Sequence, residues 1–237
     1  MIEHPLISVV IPAYNEEKLL SEALEALKKQ TFPKEKYEVI VVDNNSTDKT
    51  AEIAQDYDAK VLGCQVQGVA AARAAGSQAA RGEIIVGTDA DTQVAANWLE
   101  KIATHFQKDP VLLGLTGPAY LAKTNFLFSQ ASYFTFDLFQ RLNFAISKPT
   151  FSGFNYAVRA DAYQHVGGIN PQLPSAEDID LSFKLAKIGK VRYFSDVVVY
   201  TSPRRIIKDP VGFFRHNLRN YLSMVKGGQP EPFKPIR

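Results

Sequence analysis

The sequence predicts an α/β fold, a three-layer sandwich around a central, mainly parallel sheet, and three observations predict it. Short β-branched runs alternate with helical patterns over the first hundred residues. Runs such as Val39-Ile40-Val41-Val42 are apolar throughout, which marks strands buried on both faces of a parallel sheet. No internal repeat or low-complexity linker divides the 237 residues, so one continuous core is expected.

In order, a strand is expected over 7–11, closed by Pro12. Leu19, Leu20, Ala23, Leu24 and Leu27 then form a helical stripe within 16–30. The second strand is 39–42, and the polar run 43–48 offers caps for a helix reaching about residue 56. A strand over 60–64, an alanine-rich helix over 69–81, a strand over 84–88 and a helix over 97–107 keep the rhythm of right-handed βαβ units. Past residue 110 the rhythm breaks. The pattern gives a strand over 112–118, an aromatic-rich helix over 124–147, and a strand over 151–159. A helix over 178–188 stopped by Gly189, strands over 191–194 and 197–201, and a last helix over 211–225 follow. The segment 227–232 reads as an extended tail.

Composition excludes little by itself: 46% hydrophobic and 22% charged residues are ordinary for a chain with a real core. The net charge of +2 gives no global electrostatic argument for nucleic acid. It hides an asymmetry, because residues 204–237 carry eight Lys or Arg against two acids, +6, and leave −4 on 1–203. A basic end suggests an anionic partner, a phosphate or a membrane surface; a solvated helix face explains it equally. The single cysteine, Cys64, rules out an internal disulfide and fits a reducing compartment; in its apolar run it is expected to be a buried thiol. No basic leader precedes the first apolar stretch, and the apolar window 126–146 contains Asp137, Arg141, Gln130, Gln140 and Asn143, too polar for a span. A cytoplasmic protein, with peripheral membrane contact left open, is expected.

In open α/β sheets ligands bind beyond the carboxyl ends of the strands. Those ends carry Pro12-Ala13-Tyr14-Asn15-Glu16, then Asp43-Asn44-Asn45-Ser46-Thr47-Asp48, then Asp89-Ala90-Asp91. Two carboxylates one residue apart at a strand end can hold one hard cation with positions left for phosphate oxygens. Aspartates are also common turn residues, but three polar strand ends in register favour a site. No Gly-x-Gly-x-x-Gly follows the first strand and no Gly-x-x-x-x-Gly-Lys occurs, which disfavours dinucleotide and P-loop chemistry.

Arg73 is the one charge among the alanines of 69–80, either a guanidinium free to meet a nucleotide or a surface arginine. Glu177 and Asp178 open a helix, where acids cap and where one could act as a general base. Arg204 and Arg205 follow the last strand and could neutralise a diphosphate, or simply begin the basic tail. The histidines His4, His105, His165 and His216 show no zinc spacing.

These stretches resemble glycosyltransferase family 2, whose fold is the GT-A type, a Rossmann-like nucleotide-sugar-binding sandwich. The resemblance rests on Ser8-Val9-Val10-Ile11-Pro12-Ala13-Tyr14-Asn15-Glu16-Glu17, Val41-Val42-Asp43-Asn44-Asn45-Ser46-Thr47-Asp48 and Ala72-Arg73-Ala74-Ala75-Gly76. Gly82-Glu83-Ile84-Ile85 running into Asp89-Ala90-Asp91, and Glu177-Asp178-Ile179-Asp180-Leu181, complete it in the family's order. It implies an inverting transfer from a nucleoside-diphosphate sugar to a glycan or lipid-linked acceptor. Pro12, Ala13, Tyr14 and Glu16 would line the base and ribose pocket, Asp43 would recognise the base, and Arg73 would contact the nucleotide. Asp89 and Ala90 would lie by the ribose, and Asp91, with Asp89, would ligate Mg²⁺ or Mn²⁺. Asp178, beside Glu177, matches the family's base, and Arg204 and Arg205 would meet the diphosphate. Residues 1–110 would then be a nucleotide-binding half, 111–203 an acceptor and catalytic half, and 204–237 a basic helix and tail of one domain.

The sequence departs from the pattern at Asp43-Asn44-Asn45, where many relatives have Asp-Asp-Gly, and lacks the Gln-x-x-Arg-Trp of polymerising members. A sugar-phosphate nucleotidyltransferase and a non-catalytic nucleotide-sugar-binding module remain as alternatives, although no Gly-rich loop follows the first strand. The aromatics Phe126, Phe128, Tyr133, Phe134, Phe136, Phe139 and Phe144 form either an acceptor wall or core.

Overall fold

The β-branched runs become strands wherever both of their faces can be covered. In the computed structural model, which describes residues 6–232, β1 (Ile7–Ala13), β2 (Tyr37–Asp43), β3 (Lys60–Gly63) and β4 (Ile84–Gly87) are parallel, in the order β3-β2-β1-β4. β8 (Tyr156–Arg159) pairs antiparallel with β4, β6 (Leu112–Thr116) antiparallel with β8, and β9 (Lys190–Tyr193) parallel with β6. The sheet thus has seven strands, mainly parallel.

Alternate residues of β1 feed opposite layers. Val9 and Ile11 share a core with α1 (Leu20–Lys28), α2 (Thr50–Asp56) and α4 (Trp98–Lys108). Val10, with Ile40 and Val42, packs against α3 (Val69–Gln78), α6 (Ala160–His165) and α7 (Glu177–Ile188). The alanines of α3 let it lie close on the sheet. At Gly76 even a Cβ would fall 2.4 Å from Val10 Cγ1 and 2.7 Å from Val42 Cγ2.

Several sequence expectations shift for identifiable reasons. Pro12 does not end β1: it pairs with Val42, and the β4 side of the ladder has already stopped at Val10, so its missing N–H costs nothing there. α1 starts at Leu20 rather than 16, because the N–H groups of Glu16 and Glu17 bond Thr50 Oγ1 and Asp48 Oδ2 (2.8 and 3.1 Å). The strand expected over 151–159 keeps only its last four residues. Three very short strands, β5 (Thr92–Val94), β7 (Ala119–Leu121) and β10 (Val199–Thr201), form a second sheet in the order β5-β10-β7. β10 falls within the strand expected over 197–201, whereas β5 and β7, at three residues each, show no period to read. Cys64 is only partly buried. His105 stacks on Phe194 and pairs with Asp196, while His4 lies outside the described residues.

The chain closes with α5 (Phe126–Ala145), α8 (Arg204–Lys208) and α9 (Pro210–Val225). Asp209 caps α9 by accepting the Gly212 N–H, and Pro210 occupies its first turn. The aromatics of α5 divide: Phe136 meets Phe154 and Phe144 meets Tyr193, whereas Phe126 and Phe134 are exposed. The segment after α9 is not a free tail. Glu231 exchanges both backbone hydrogen bonds with the Asn220 side chain, and its carbonyl accepts from Ser175 Oγ.

Buried Asn155 joins the two sheets. Its Nδ2 donates to the carbonyls of Pro118 and Val197 (3.1 and 2.8 Å), and its Oδ1 accepts the indole N–H of buried Trp98 at 2.9 Å. Asn155→Ala strands three polar groups away from water and is expected to cost about 3 kcal/mol. A lowered urea midpoint with an unchanged m-value tests this.

Candidate functional site

Because β2, β1 and β4 are adjacent and parallel, their carboxyl ends open on one edge of the sheet. The loops there hold one another. Asn15, at φ +53°, accepts the Thr47 N–H and donates its own N–H to Ser46 Oγ, whose backbone N–H donates to Asp43 Oδ1. Asn44, to which the sequence reading gave no role, is buried: its amide donates to the carbonyls of Cys64 and Val66 and accepts the Gly68 N–H. It fixes the start of α3, the helix that carries Arg73.

Pairing of β10 with β5 brings the C-terminal arginines to this edge. Thr201 lies opposite Thr92, and the Ser202 N–H donates to the Asp91 carbonyl at 3.2 Å. Arg204 consequently spans two acids. Its Nε is 2.8 Å from Asp91 Oδ2, Nη1 donates to Glu16 Oε2 at 2.9 Å, and Nη2 donates to the other Glu16 oxygen. Arg205 follows it, partly buried. Burial pushes the Asp91 carboxyl up to about 6; Asp89 and Glu16 add to the rise, while Arg204 and Arg205 oppose it.

A second knot centres on Arg73, which is 2% exposed. Nη2 donates to Asp89 Oδ1, Nη1 donates to the Gly153 carbonyl, and Nε lies 3.0 Å from Glu177 Oε1. The guanidinium is therefore engaged inside the protein, between Asp89, Gly153 and Glu177. Gly153 is required by this closeness, since a Cβ there would sit 2.6 Å from Arg73 Nη2 and 3.3 Å from Asp178 Oδ2. Asp178 opens α7 just after Ala176, a left-handed residue at φ +56°. Burial, and then the Glu177 charge, push its carboxyl up to about 7, against the pull of Arg73 and of the Ile179 and Gly153 N–H groups.

The structure thus gathers Glu16, Asp89, Asp91, Arg204 and, through Arg73, Glu177 and Asp178. Asp43 stands on the β2 side of the same edge. Ala13 and Ala90 turn their side chains into the core, so only their backbones reach the edge, and Pro12 lies within β1. Tyr14 is partly exposed at the edge. Gly153 and its supports, Gln140 bonded to both Ser152 and Thr150, were not legible as site residues, because they carry no chemistry of their own.

The acidic group suits a hard divalent cation. Asp89 and Asp91 offer oxygen ligands, and a cation would favour the ionised form of an Asp91 carboxyl that burial, and then Asp89 and Glu16, raise. Among the described residues no three His, Cys, Asp or Glu gather as a closed cage, so phosphate oxygens would complete such a shell. No described helix is long and apolar enough to cross a membrane.

The model of the family Glycosyl transferase family 2 matches residues 8–167. Glycosyltransferase AglE of Haloferax volcanii is 30% identical over 208 residues, 85% of this chain and 68% of its own length. Beta-monoglucosyldiacylglycerol synthase of Nostoc sp. is 34% identical over 193 residues, 76% of this chain, which spans 41% of the synthase. Among solved structures, mannosyltransferase PcManGT from Pyrobaculum calidifontis in complex with GDP-Man and Mn²⁺ superposes with a TM-score of 0.70 at 23% identity, covering 97% of this chain and 66% of that one. S. aureus TarS 1-349 in complex with UDP-GlcNAc gives 0.65 at 24% identity, covering 83% and 58%. Both structures share the GT-A fold of this chain.

The raised Asp178 carboxyl carries a stability signature. Its folded value lies above the unfolded value of about 4, so ionising it costs stability from about pH 4 upward, in full only above about 7. Asp178→Asn is expected to be more stable than the parent at pH 8 by about 1–3 kcal/mol. The gain should vanish near pH 4; melting temperatures across this range check both sign and window.

Proposed function

The chain belongs to glycosyl transferase family 2, and from that premise we propose that it moves a sugar from a nucleoside-diphosphate sugar to an acceptor hydroxyl with inversion. The observation that carries this reading is the pairing of two acid groups at one strand edge. One is crowded and arginine-bridged, at Glu16, Asp89 and Asp91; the other is a carboxyl poised near neutrality, Asp178.

The nucleotide lies along the edge, with Tyr14 and the backbone at Pro12 and Ala13 against the base and ribose, and Asp43 reading the base. Asp91 and Asp89 would hold Mg²⁺ or Mn²⁺, and such an ion would supply positive charge to stabilise the leaving diphosphate. Arg204, joined by Arg205, shares its charge between Glu16 and the incoming phosphates, to which its planar fork is well matched. Arg73 positions: it holds Asp89 and Glu177, and through Gly153 the loop facing Asp178.

Asp178 accepts the acceptor's proton. The acceptor oxygen bonds to the anomeric carbon from the face opposite the diphosphate, the carbon–diphosphate bond breaks, and the proton passes to the Asp178 carboxylate. A base near pH 7 is tuned for this work. The donor half is residues 1–110, and 111–203 supply Gly153, Asp178 and the acceptor surface. The acceptor is a glycan or a lipid-linked hydroxyl, a class supported by relatives such as the diacylglycerol-glucosylating synthase.

Asp178→Asn is expected to lower transfer by about 10²–10⁴-fold while leaving donor affinity within about twofold. In the parent, kcat/KM should rise with pH through about 7, because only the ionised carboxyl accepts a proton. Unchanged turnover in the variant, or release of pyrophosphate in place of nucleoside diphosphate, defeats the reading. For the metal, Asp91→Asn should abolish the Mn²⁺-dependent part of the thermal stabilisation by UDP or GDP. A full Mn²⁺-dependent shift in that variant would remove Asp91 from the metal site.

A further inference from the structure

Thirteen of the eighteen large apolar side chains exposed among the described residues lie on α5 with its neighbour Ile146, α8 and α9. They form rows rather than scatter. On α5, Leu127, Phe134, Leu138 and Leu142 recur at helical spacing, 56–79% exposed. Val211, Phe214, Leu218 and Leu222 do the same on α9. The opposite faces are already satisfied. Phe136 and Phe144 of α5 pack on Phe154 and Tyr193, and Asn220 of α9 is buried against Ser175 and Glu231. The two helices touch each other through Phe139 and Tyr221, ring centroids 5.6 Å apart, and through Tyr221 Oη donating to Asn143.

Charge says what covers these rows. Arg215 and Arg219, both exposed, follow Phe214 and Leu218 one residue on and so run alongside the apolar row; exposed Lys208 and Lys226 stand at its ends. Between 204 and 226 six basic residues face one acid, Asp209, which is occupied as the α9 cap. The one acid of α5, Asp137, is taken up by Arg141 and Tyr193. An apolar stripe edged by basic residues, with its few acids neutralised, is the pattern of a helix lying in a membrane interface. A second copy would set the same positive row against itself in a two-fold contact, which charge disfavours.

We propose that α5, α8 and α9 form a docking face for a bilayer surface that carries anionic headgroups. The apolar rows enter the headgroup boundary, and Arg215, Arg219, Lys208 and Lys226 pair with lipid phosphates. The face adjoins the cleft, because α8 begins at Arg204 and the inner side of α5 holds the 150–152 loop through Gln140. The surface is independent of which sugar or acceptor the enzyme uses.

Sedimentation with vesicles tests it. The full chain should bind phosphatidylglycerol–phosphatidylcholine vesicles at least about tenfold better than phosphatidylcholine alone, and added salt should weaken that binding. Arg215→Glu with Arg219→Glu should bind about thirtyfold more weakly, whereas Arg215→Lys with Arg219→Lys should bind like the parent. Phe214→Ser with Leu218→Ser should release the protein even at low salt. If that pair fails to fold, Phe214→Trp serves instead: the native Trp98 is buried, so a blue shift on vesicles reports insertion of α9. Equal binding to neutral vesicles, no binding at low salt, no fluorescence shift, or a dimer in sedimentation velocity that Leu218→Ser dissolves would each overturn the proposal.

Discussion

One buried guanidinium holds the two halves of this molecule in register. Arg73 rides on α3, Asp89 follows β4, Gly153 precedes β8, and Glu177 opens α7; all three partners lie within hydrogen-bonding or ion-pair distance of a guanidinium that is itself out of water. An arginine so enclosed is affordable only because two carboxylates and a carbonyl surround it, and removing one partner would leave an uncompensated charge. The close helix packing that admits it depends in turn on the small residues of α3, with Gly76 against Val10 and Val42. Packing on the sheet therefore decides where α7 begins, and electrostatics lock it there.

The other end of the cleft is built in the opposite way. At Glu16, Asp89 and Asp91 three acids lie close together; Arg204 spans Glu16 and Asp91, Arg73 pairs with Asp89, and burial with the neighbouring acids still raises Asp91. Ionising Asp91 there is costly in the free protein, and a bound cation would offset that cost. The edge thus joins the knot around Arg73, beside Asp178, to the acidic group around Arg204, with Asp89 common to both.

Much of this was legible in the residues. The apolar runs predicted the parallel sheet, and three polar strand ends in series predicted an edge where polar residues gather, because parallel strands place successive carboxyl termini side by side. Glu16, Asp89, Asp91 and Arg204 do meet there. What sequence could not reach were partnerships set by tertiary packing. Nothing in an alanine-rich helix says whether its arginine turns outward or inward, and Arg73 turns inward. Ala13 and Ala90 were placed at the edge by position, but the alternation of the chain sends their side chains to the core. Asn44, Asn155 and Gly153 act by completing other groups' hydrogen bonds or by being small, and such roles leave no periodicity to detect. Two three-residue strands of the small sheet, β5 and β7, leave as little signal, whereas β10, which delivers Arg204, lies within the strand expected over 197–201.

The last third of the chain has a structural duty that its composition conceals. Asp178 is held with a raised carboxyl, next to Glu177 and after a left-handed Ala176, an arrangement that opposes stability. Something outside the site must offset it. Ser175, one residue before that turn, is buried and bonded to Asn220 of α9 and to the Glu231 carbonyl, while Ser182 one turn along α7 bonds the Pro149 carbonyl. The start of α7 is thus pinned by the segment following α9 and by the loop leading out of α5, the elements whose outer faces remain uncovered. The helices that carry the uncovered faces therefore also brace the turn before Asp178.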